Sequence, residues 1–181
     1  MLKIKFCSVV GIALVGMLAV SACDRSAPSE PAAELNEEQL RGAKRTGVFT
    51  LSQISPQSEA GQVDYYEVEL APYESVELKY TAPENARIAF KWTSNGTVRS
   101  DFHAHPFEGG EELTESYDIS NSDGMQGLYI APFAGIHGWY WQNRTVDKVI
   151  VRLEASGGFT EAAVITNSSH DERPLNPEPF A

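Results

Sequence analysis

Short runs of alternating apolar and polar residues fill the middle of the chain, and clusters of turn-forming residues separate them. The clearest runs are V-D-Y-Y-E-V-E-L, S-V-E-L-K-Y-T, R-I-A-F-K-W-T, G-L-Y-I-A and K-V-I-V-R-L-E. Side chains of an extended strand alternate between its two faces, so a period of two predicts strands that are buried on one face. Roughly eight to ten short strands at this spacing predict an all-β fold, an antiparallel sandwich or barrel.

The sequence S-N-G at residues 94–96 predicts the turn of a hairpin. A two-residue turn would set the apolar residues of one strand opposite charges of the other, whereas a three-residue loop pairs Trp92 with Val98. A slip of one residue moves every side chain to the other face, so burial favours the three-residue loop with a glycine bulge. The predicted buried face holds Ile88, Phe90, Trp92, Val98 and Phe102, and the predicted polar face holds Asp101, His103 and His105.

The N-terminus has the pattern of a secretory signal peptide. Lys3 and Lys5 precede an apolar run that is shorter than the roughly 20 residues of a membrane span. Residues 20–23, V-S-A-C, resemble the bacterial lipobox, which implies cleavage before Cys23 and acylation of that cysteine. Several acyl chains give stable membrane anchoring. The alternative is an ordinary signal peptide with a chance cysteine.

Charge and cysteine content restrict the partners and the chemistry. The chain has a formal net charge of −11, which disfavours nucleic acid as a partner. Of its two cysteines, Cys7 would leave with the signal peptide and Cys23 would carry lipid, so no thiol remains for catalysis or metal binding. We expect a protein of the bacterial cell envelope that faces the periplasm, and Asp24 resembles the signal that retains lipoproteins in the inner membrane.

Composition also suggests the domain organisation. A polar, proline-containing stretch follows Cys23 and predicts a tether, and Asn36 with Gln39 forms a capping-box pattern that predicts a short helix. The end of the chain has three prolines and little apolar content. The predicted segments are a signal peptide at 1–22, a lipidated tether at 23–34, a β-sandwich domain at 35–167 and a flexible tail at 168–181.

Two segments resemble a family of bacterial envelope proteins that are described as membrane-anchored. They are W-T-S-N-G-T-V-R-S-D-F-H and A-P-F-A-G-I-H-G-W-Y-W-Q-N-R-T, and in that family an Asp-Phe-His strand precedes a Gly-x-His-Gly-Trp-Tyr-Trp strand. The strand order is also similar, more loosely, to GOLD-type sandwiches. The resemblance covers roughly residues 75–155, implies a single antiparallel β-sandwich of jelly-roll or GOLD-like type, and carries no established activity. The family more often has glycine where this chain has His105.

The strand S-D-F-H-A-H-P places Asp101, His103 and His105 on one face, at a spacing of roughly 6–7 Å. Imidazole and carboxylate groups suit zinc or copper. Because the two resembling segments each carry a histidine, we expect His103 and His137 to lie close together and to complete a metal site. The alternative is a solvated sheet face whose histidines pair with nearby charged residues or with the backbone.

Trp139 and Trp141 alternate with Tyr140, so the two tryptophans share one face of their strand. If that face is exposed, the tryptophans offer a platform for a sugar or a peptide. If it is buried, they belong to the core, as large aromatic residues usually do.

These observations support three functional hypotheses. The first is a noncatalytic, lipid-anchored binding or accessory module of the envelope that binds a ligand or a protein partner. The second is a periplasmic accessory protein that binds a divalent metal through His103 and His137, and the third is a small metal-dependent enzyme. The sequence has no G-x-S-x-G, H-E-x-x-H, P-loop or Rossmann glycine motif, which favours a protein that is not an enzyme.

Lipidation of Cys23 gives a direct test of the predicted anchor. Replacing the acylated side chain, as in Cys23→Ser, removes the thiol that the acyl group requires. We expect this variant to lose all incorporation of a radiolabelled or alkyne fatty acid in bacterial cells. Incorporation equal to that of the wild type would refute the lipoprotein assignment.

Overall fold

Nine strands and one short 3-10 helix make up residues 48–180, the part of the chain that the computed structural model describes. All strand pairs are antiparallel, as the alternating pattern predicts. The elements in chain order are β1 Phe49–Leu51, β2 Gln62–Leu70, β3 Ser75–Ala82, β4 Arg87–Pro106, the 3-10 helix Gly110–Leu113, β5 Glu115–Ile130, β6 Gly135–Asn143, β7 Val149–Gly157, β8 Glu161–Ile165 and β9 His170–Arg173.

The strands form one antiparallel sheet that folds over itself in the manner of a β-sandwich. The hydrogen-bonded order is β1-β5-β4-β6-β3-β8-β9, and β7 joins β4 to β2. Strand β4 has two different neighbours on its second edge, because residues 88–94 pair with β7 whereas residues 98–106 pair with β6. This strand therefore belongs to both layers of the fold.

A bulge divides β4 into these two halves. Thr93 lies opposite Gly124 and Val98 lies opposite Ser122, so residues 94–97 face a single residue of β5. An insertion of this kind bends a strand and increases its twist. Asn95 holds the bulge against β7, because its side-chain oxygen accepts a hydrogen bond from the backbone N–H of Ile150 at 2.8 Å.

An aromatic core fills the space between the two layers. Phe90, from the first half of β4, lies 6.4 Å from the ring of Phe102 in the second half and 5.1 Å from Trp139. Each large aromatic side chain removes roughly 150–250 Å² from water, so these contacts dominate the stability of the fold. The largest fully buried aromatic side chains are Trp92, Trp139, Trp141, Tyr80, Tyr129, Phe90 and Phe159.

The predicted hairpin at residues 94–96 is wrong. Ile88 pairs with Tyr129 and Phe102 pairs with Asp118, both on β5, rather than with each other. The S-N-G sequence bends a continuous strand and does not reverse it. The predicted faces are nevertheless confirmed, because six positions separate Trp92 from Val98 and the period of two continues across the bulge. The five residues of the predicted buried face are at most 2% exposed: Ile88, Phe90, Trp92, Val98 and Phe102.

The described residues of the C-terminal segment, which the sequence predicts as a flexible tail at 168–181, include strand β9 and contact the sheet. Asp64 of β2 is completely buried and accepts hydrogen bonds from the Tyr80 hydroxyl at 2.5 Å, the Arg173 guanidinium and the Asn176 backbone N–H at 2.8 Å. A buried carboxylate needs such partners to offset its lost hydration. The tail supplies two of the three, and Phe180 adds an edge-to-face contact with Tyr65.

The predicted signal peptide, tether and short helix lie outside the described residues. Within residues 48–180, no helix has the length and apolar character needed to cross a membrane.

Removal of one core indole tests the burial of β4. Trp92 has no solvent exposure, and Trp92→Ala would leave a large cavity between the layers. We expect the free energy of unfolding to fall by about 3–5 kcal/mol in urea titrations. Val146→Ala is the control, since Val146 is 71% exposed and its truncation should change stability by less than about 0.5 kcal/mol. Equal small effects for the two variants would contradict the assigned core.

Candidate functional site

A cavity of about 660 Å³ lies on the face of the sheet opposite the aromatic core. Strands β3, β4, β6, β8 and β9 and the 3-10 helix all contribute to its lining. Apolar side chains of Phe107, Ile136 and Ile165 form part of the wall. The polar part of the lining includes Lys79 and His103, which come from strands that are not adjacent in the sheet.

Gly138 explains how Lys79 and His103 meet. In the sheet Gly138 of β6 lies between them, because it pairs with Lys79 on one side and with His103 on the other. A Cβ atom at this position would lie 2.0 Å from the backbone oxygen of Leu78, so only glycine fits. With no side chain in between, the Lys79 Nζ atom reaches to 2.6 Å from His103 Nε2.

Two carboxylates hold this pair. Glu77 Oε2 lies 3.0 Å from Lys79 Nζ and 3.4 Å from His103 Nε2, and Asp101 Oδ1 lies 3.7 Å from His103 Nδ1. We call Glu77, Lys79, Asp101 and His103 the lysine–histidine cluster. It contains two bases and two acids; Glu77, Lys79 and His103 line the cavity, and Asp101 lies beside His103.

The environment narrows the difference in basicity between the two bases. Burial lowers the pKa of Lys79, which is only 5% exposed, although Glu77 opposes that shift. Burial would also lower the pKa of His103, but the carboxylates of Asp101 and Glu77 outweigh it and raise the pKa above its usual value. A proton can therefore move between the two nitrogens at a lower cost than between a free lysine and a free histidine.

The two acids of the cluster are held in their ionised form. The contact with His103 lowers the pKa of Glu77 to about 2, against the opposing effect of burial and with further help from Lys79. Burial alone would raise the pKa of Asp101, but His103 and Ser116 more than reverse this effect. The negative charges are thus available to balance a positive charge on either nitrogen.

His137 does not belong to this site, and the predicted pairing of His103 with His137 is wrong. His137 pairs in register with Ala104, the neighbour of His103, so the two imidazoles point to opposite faces of the sheet. His137 is fully buried, with Nδ1 2.8 Å from the Tyr129 hydroxyl and its ring stacked on Phe133. Among residues 48–180, no group of three or more histidine, cysteine or acidic side chains is arranged to hold a metal ion.

The other predicted site residues have different roles. His105 lines the cavity, and its Nδ1 lies 3.2 Å from the backbone oxygen of Pro106. Trp139 and Trp141 stack in the core with their ring centroids 5.8 Å apart, which confirms the core alternative over the surface platform. They occupy alternate positions of β6 with His137, and that face of β6 covers the core. Cys23 lies outside the described residues.

Lys79 and Glu77 are the functional candidates that sequence reasoning missed. They occupy polar positions in S-V-E-L-K-Y-T, where a lysine normally extends into solvent. The available signal was Gly138, because glycine inside a strand often marks a close approach by another group. The partner that approaches could not be identified without the order of strands β3, β6 and β4.

In comparisons with known proteins, no protein-family model and no curated protein matches the chain.

Burial of neutral His137 predicts a pH dependence of stability. Burial lowers the pKa of His137 to about 4 from a usual value of 6.5. Between these values the unfolded chain binds the proton and the folded chain does not, so stability falls as the pH falls. We expect the wild type to lose about 2 kcal/mol of unfolding free energy between about pH 7 and pH 5 from this group.

The variant His137→Gln isolates this contribution, because all other titrating groups are retained. Its unfolding free energy in urea should change less than that of the wild type over the same pH interval. If both proteins show the same dependence, His137 is not the group that titrates on unfolding.

Proposed function

We propose that the protein is a noncatalytic, lipid-anchored β-sandwich of the bacterial cell envelope that binds a small ligand in the cavity beside Lys79. The cavity itself carries this proposal. Its volume of about 660 Å³ lies within the roughly 300–1,000 Å³ that is typical of small-molecule sites. Its lining combines apolar side chains with a few convergent polar groups, which is the usual composition of such sites.

The lysine–histidine cluster supports a ligand-binding role over a purely structural one. Burying an ammonium group costs several kcal/mol, and an apolar side chain at the same position would avoid that cost. Lys79 makes no contribution to the aromatic core, because it faces the opposite side of the sheet. A buried charge at the base of an open cavity is a recurring feature of functional sites.

The proposed location follows from the N-terminal sequence. The V-S-A-C segment ending at Cys23 favours lipid anchoring, and Asp24 favours retention in the inner membrane. The two segments that resemble membrane-anchored envelope proteins also supply residues of the site. His103 comes from the first segment and Gly138 from the second, which links the resemblance to the cavity.

The geometry favours a small organic ligand over the metal-dependent alternatives. The metal-binding accessory role and the metal-dependent enzyme both required His103 and His137 on one face, and these residues lie on opposite faces. A concave site around His103, in place of a flat apolar face, also favours a small ligand over a docked protein partner.

A cavity-filling substitution tests the proposal. Ala163 of β8 pairs with Lys79 and lines the cavity, so Ala163→Trp would fill it. The control is Val146→Trp, at a position that is 71% exposed. Full-length proteins are purified from bacterial membranes, and small molecules released on denaturation are quantified by mass spectrometry.

We expect the wild type and Val146→Trp to retain the same molecule. Ala163→Trp should retain at least about tenfold less, a difference of ~1.4 kcal/mol in binding. Equal retention by all three proteins, or none above background in the wild type, would refute a ligand site in this cavity.

A further inference from the structure

The lysine–histidine cluster has the parts of an amine nucleophile with its own proton carrier. Lys79 Nζ and His103 Nε2 are 2.6 Å apart and share a hydrogen bond at the cavity base. If the proton lies on His103, the Lys79 amine is neutral and its lone pair can attack an electrophile. Simple ion pairing with Glu77 would not require a second base at this distance.

We propose that Lys79 binds its ligand covalently, by forming a reversible imine with an uncharged aldehyde or ketone that enters the cavity. This inference rests on the proposed function and names the chemical class of the ligand. It requires no metal, oxidant or reductant, because imine formation exchanges a C=O bond for a C=N bond and releases water.

Charge balance makes the neutral amine accessible. Transfer of the proton from Lys79 to His103 leaves the net charge of the cluster unchanged and moves the positive charge toward Asp101. Glu77 Oε2 lies 3.4 Å from His103 Nε2, so its negative charge also faces a protonated imidazole. The amine can therefore be deprotonated without expelling a proton into water, which lowers the cost of activating a buried lysine.

The reaction balances with the groups present. The Lys79 nitrogen attacks the carbonyl carbon, a C–N bond forms, and the C=O π electrons move to oxygen. His103 gives its proton to that oxygen and takes one from the attached nitrogen, which yields a carbinolamine. His103 then protonates the departing hydroxyl, water leaves, and the nitrogen lone pair forms the C=N bond. The iminium retains the single positive charge that the pair carried at the start.

The cavity lining selects among carbonyl compounds. Besides Glu77, the acidic side chains of Glu111, Glu161 and Glu172 line the cavity, and Lys79 is the one lysine or arginine among its lining residues. This excess of negative charge disfavours an anionic ligand such as a 2-oxo acid. Phe107 and Ile136 offer apolar contacts. An aldehyde or ketone with a small uncharged apolar substituent fits both properties.

Reductive trapping tests the proposal on the full-length wild-type protein. Butanal is added at neutral pH with sodium cyanoborohydride, which reduces an iminium to a stable secondary amine. Peptide mass spectrometry then measures the butylation rate of each lysine. We expect Lys79 to react at least about tenfold faster than Lys148, because His103 lies 2.6 Å away and can hold the proton that keeps an ordinary lysine unreactive. Lys148 is the internal control, because its ammonium is paired with Glu69 at the surface.

Variants distinguish imine formation at Lys79 from noncovalent binding of a ligand in the cavity. Ala163→Trp should slow the labelling of Lys79 and leave that of Lys148 unchanged, and His103→Gln should slow Lys79 because glutamine cannot carry a proton. Glyoxylate, an anionic aldehyde, should label Lys79 more slowly than butanal does. In urea the advantage of Lys79 over Lys148 should disappear.

Labelling of Lys79 no faster than that of Lys148, or an advantage that persists in urea, would overturn the imine proposal. In that case, loss of the retained small molecule in Ala163→Trp would still support noncovalent binding. If Ala163→Trp affects neither retention nor labelling, the ligand site itself is refuted.

Discussion

The bend of β4 at residues 94–97 determines which side chains meet in the core and which face the cavity. Because one strand crosses both layers, its inward residues Phe90 and Phe102 meet across the core. The same alternation sends His103 outward, to the side where the cavity lies. The aromatic core and the polar site are therefore two consequences of one bent strand. A substitution that straightened β4 would separate the two layers and disrupt both the aromatic core and the polar site.

Two clusters of charged side chains are both stabilised by opposite charges and hydrogen bonds, but they have different roles. Asp64 is held by Tyr80, Arg173 and the backbone of Asn176, and this set ties the C-terminal segment to the sheet. The lysine–histidine cluster is also paired, but it borders an open cavity and contains two bases in direct contact. Nearby groups of opposite charge offset the cost of burial in both cases. Only the second cluster leaves a nucleophilic atom beside a space that a ligand can enter.

The period of two predicted the all-β fold and the faces of β4, because burial on one face is recorded locally in the sequence. It did not predict that S-N-G lies in a bulge of one continuous strand, because the same residue types favour both bulges and hairpin turns. The strand that pairs with both halves of β4 is β5, which is distant in the sequence. The contacts of the C-terminal segment were not predicted, because its polar contacts join it to Asp64, which is distant in the chain. His103 and His137 were expected to meet because each of the two resembling segments carries a histidine. The segments do lie on adjacent strands, but a register offset of one residue puts the two side chains on opposite faces.

Nitrogen NMR measures the sharing of a proton between Lys79 and His103 directly. In the full-length protein with ¹⁵N-labelled lysine and histidine, the Lys79 Nζ and His103 Nε2 shifts are followed as the pH is raised. If the pair shares a proton, the pKa of Lys79 lies below the usual lysine value of 10.5 and His103 Nε2 responds in the same titration step. A Lys79 titration at the usual value, with no response from His103, would contradict proton sharing.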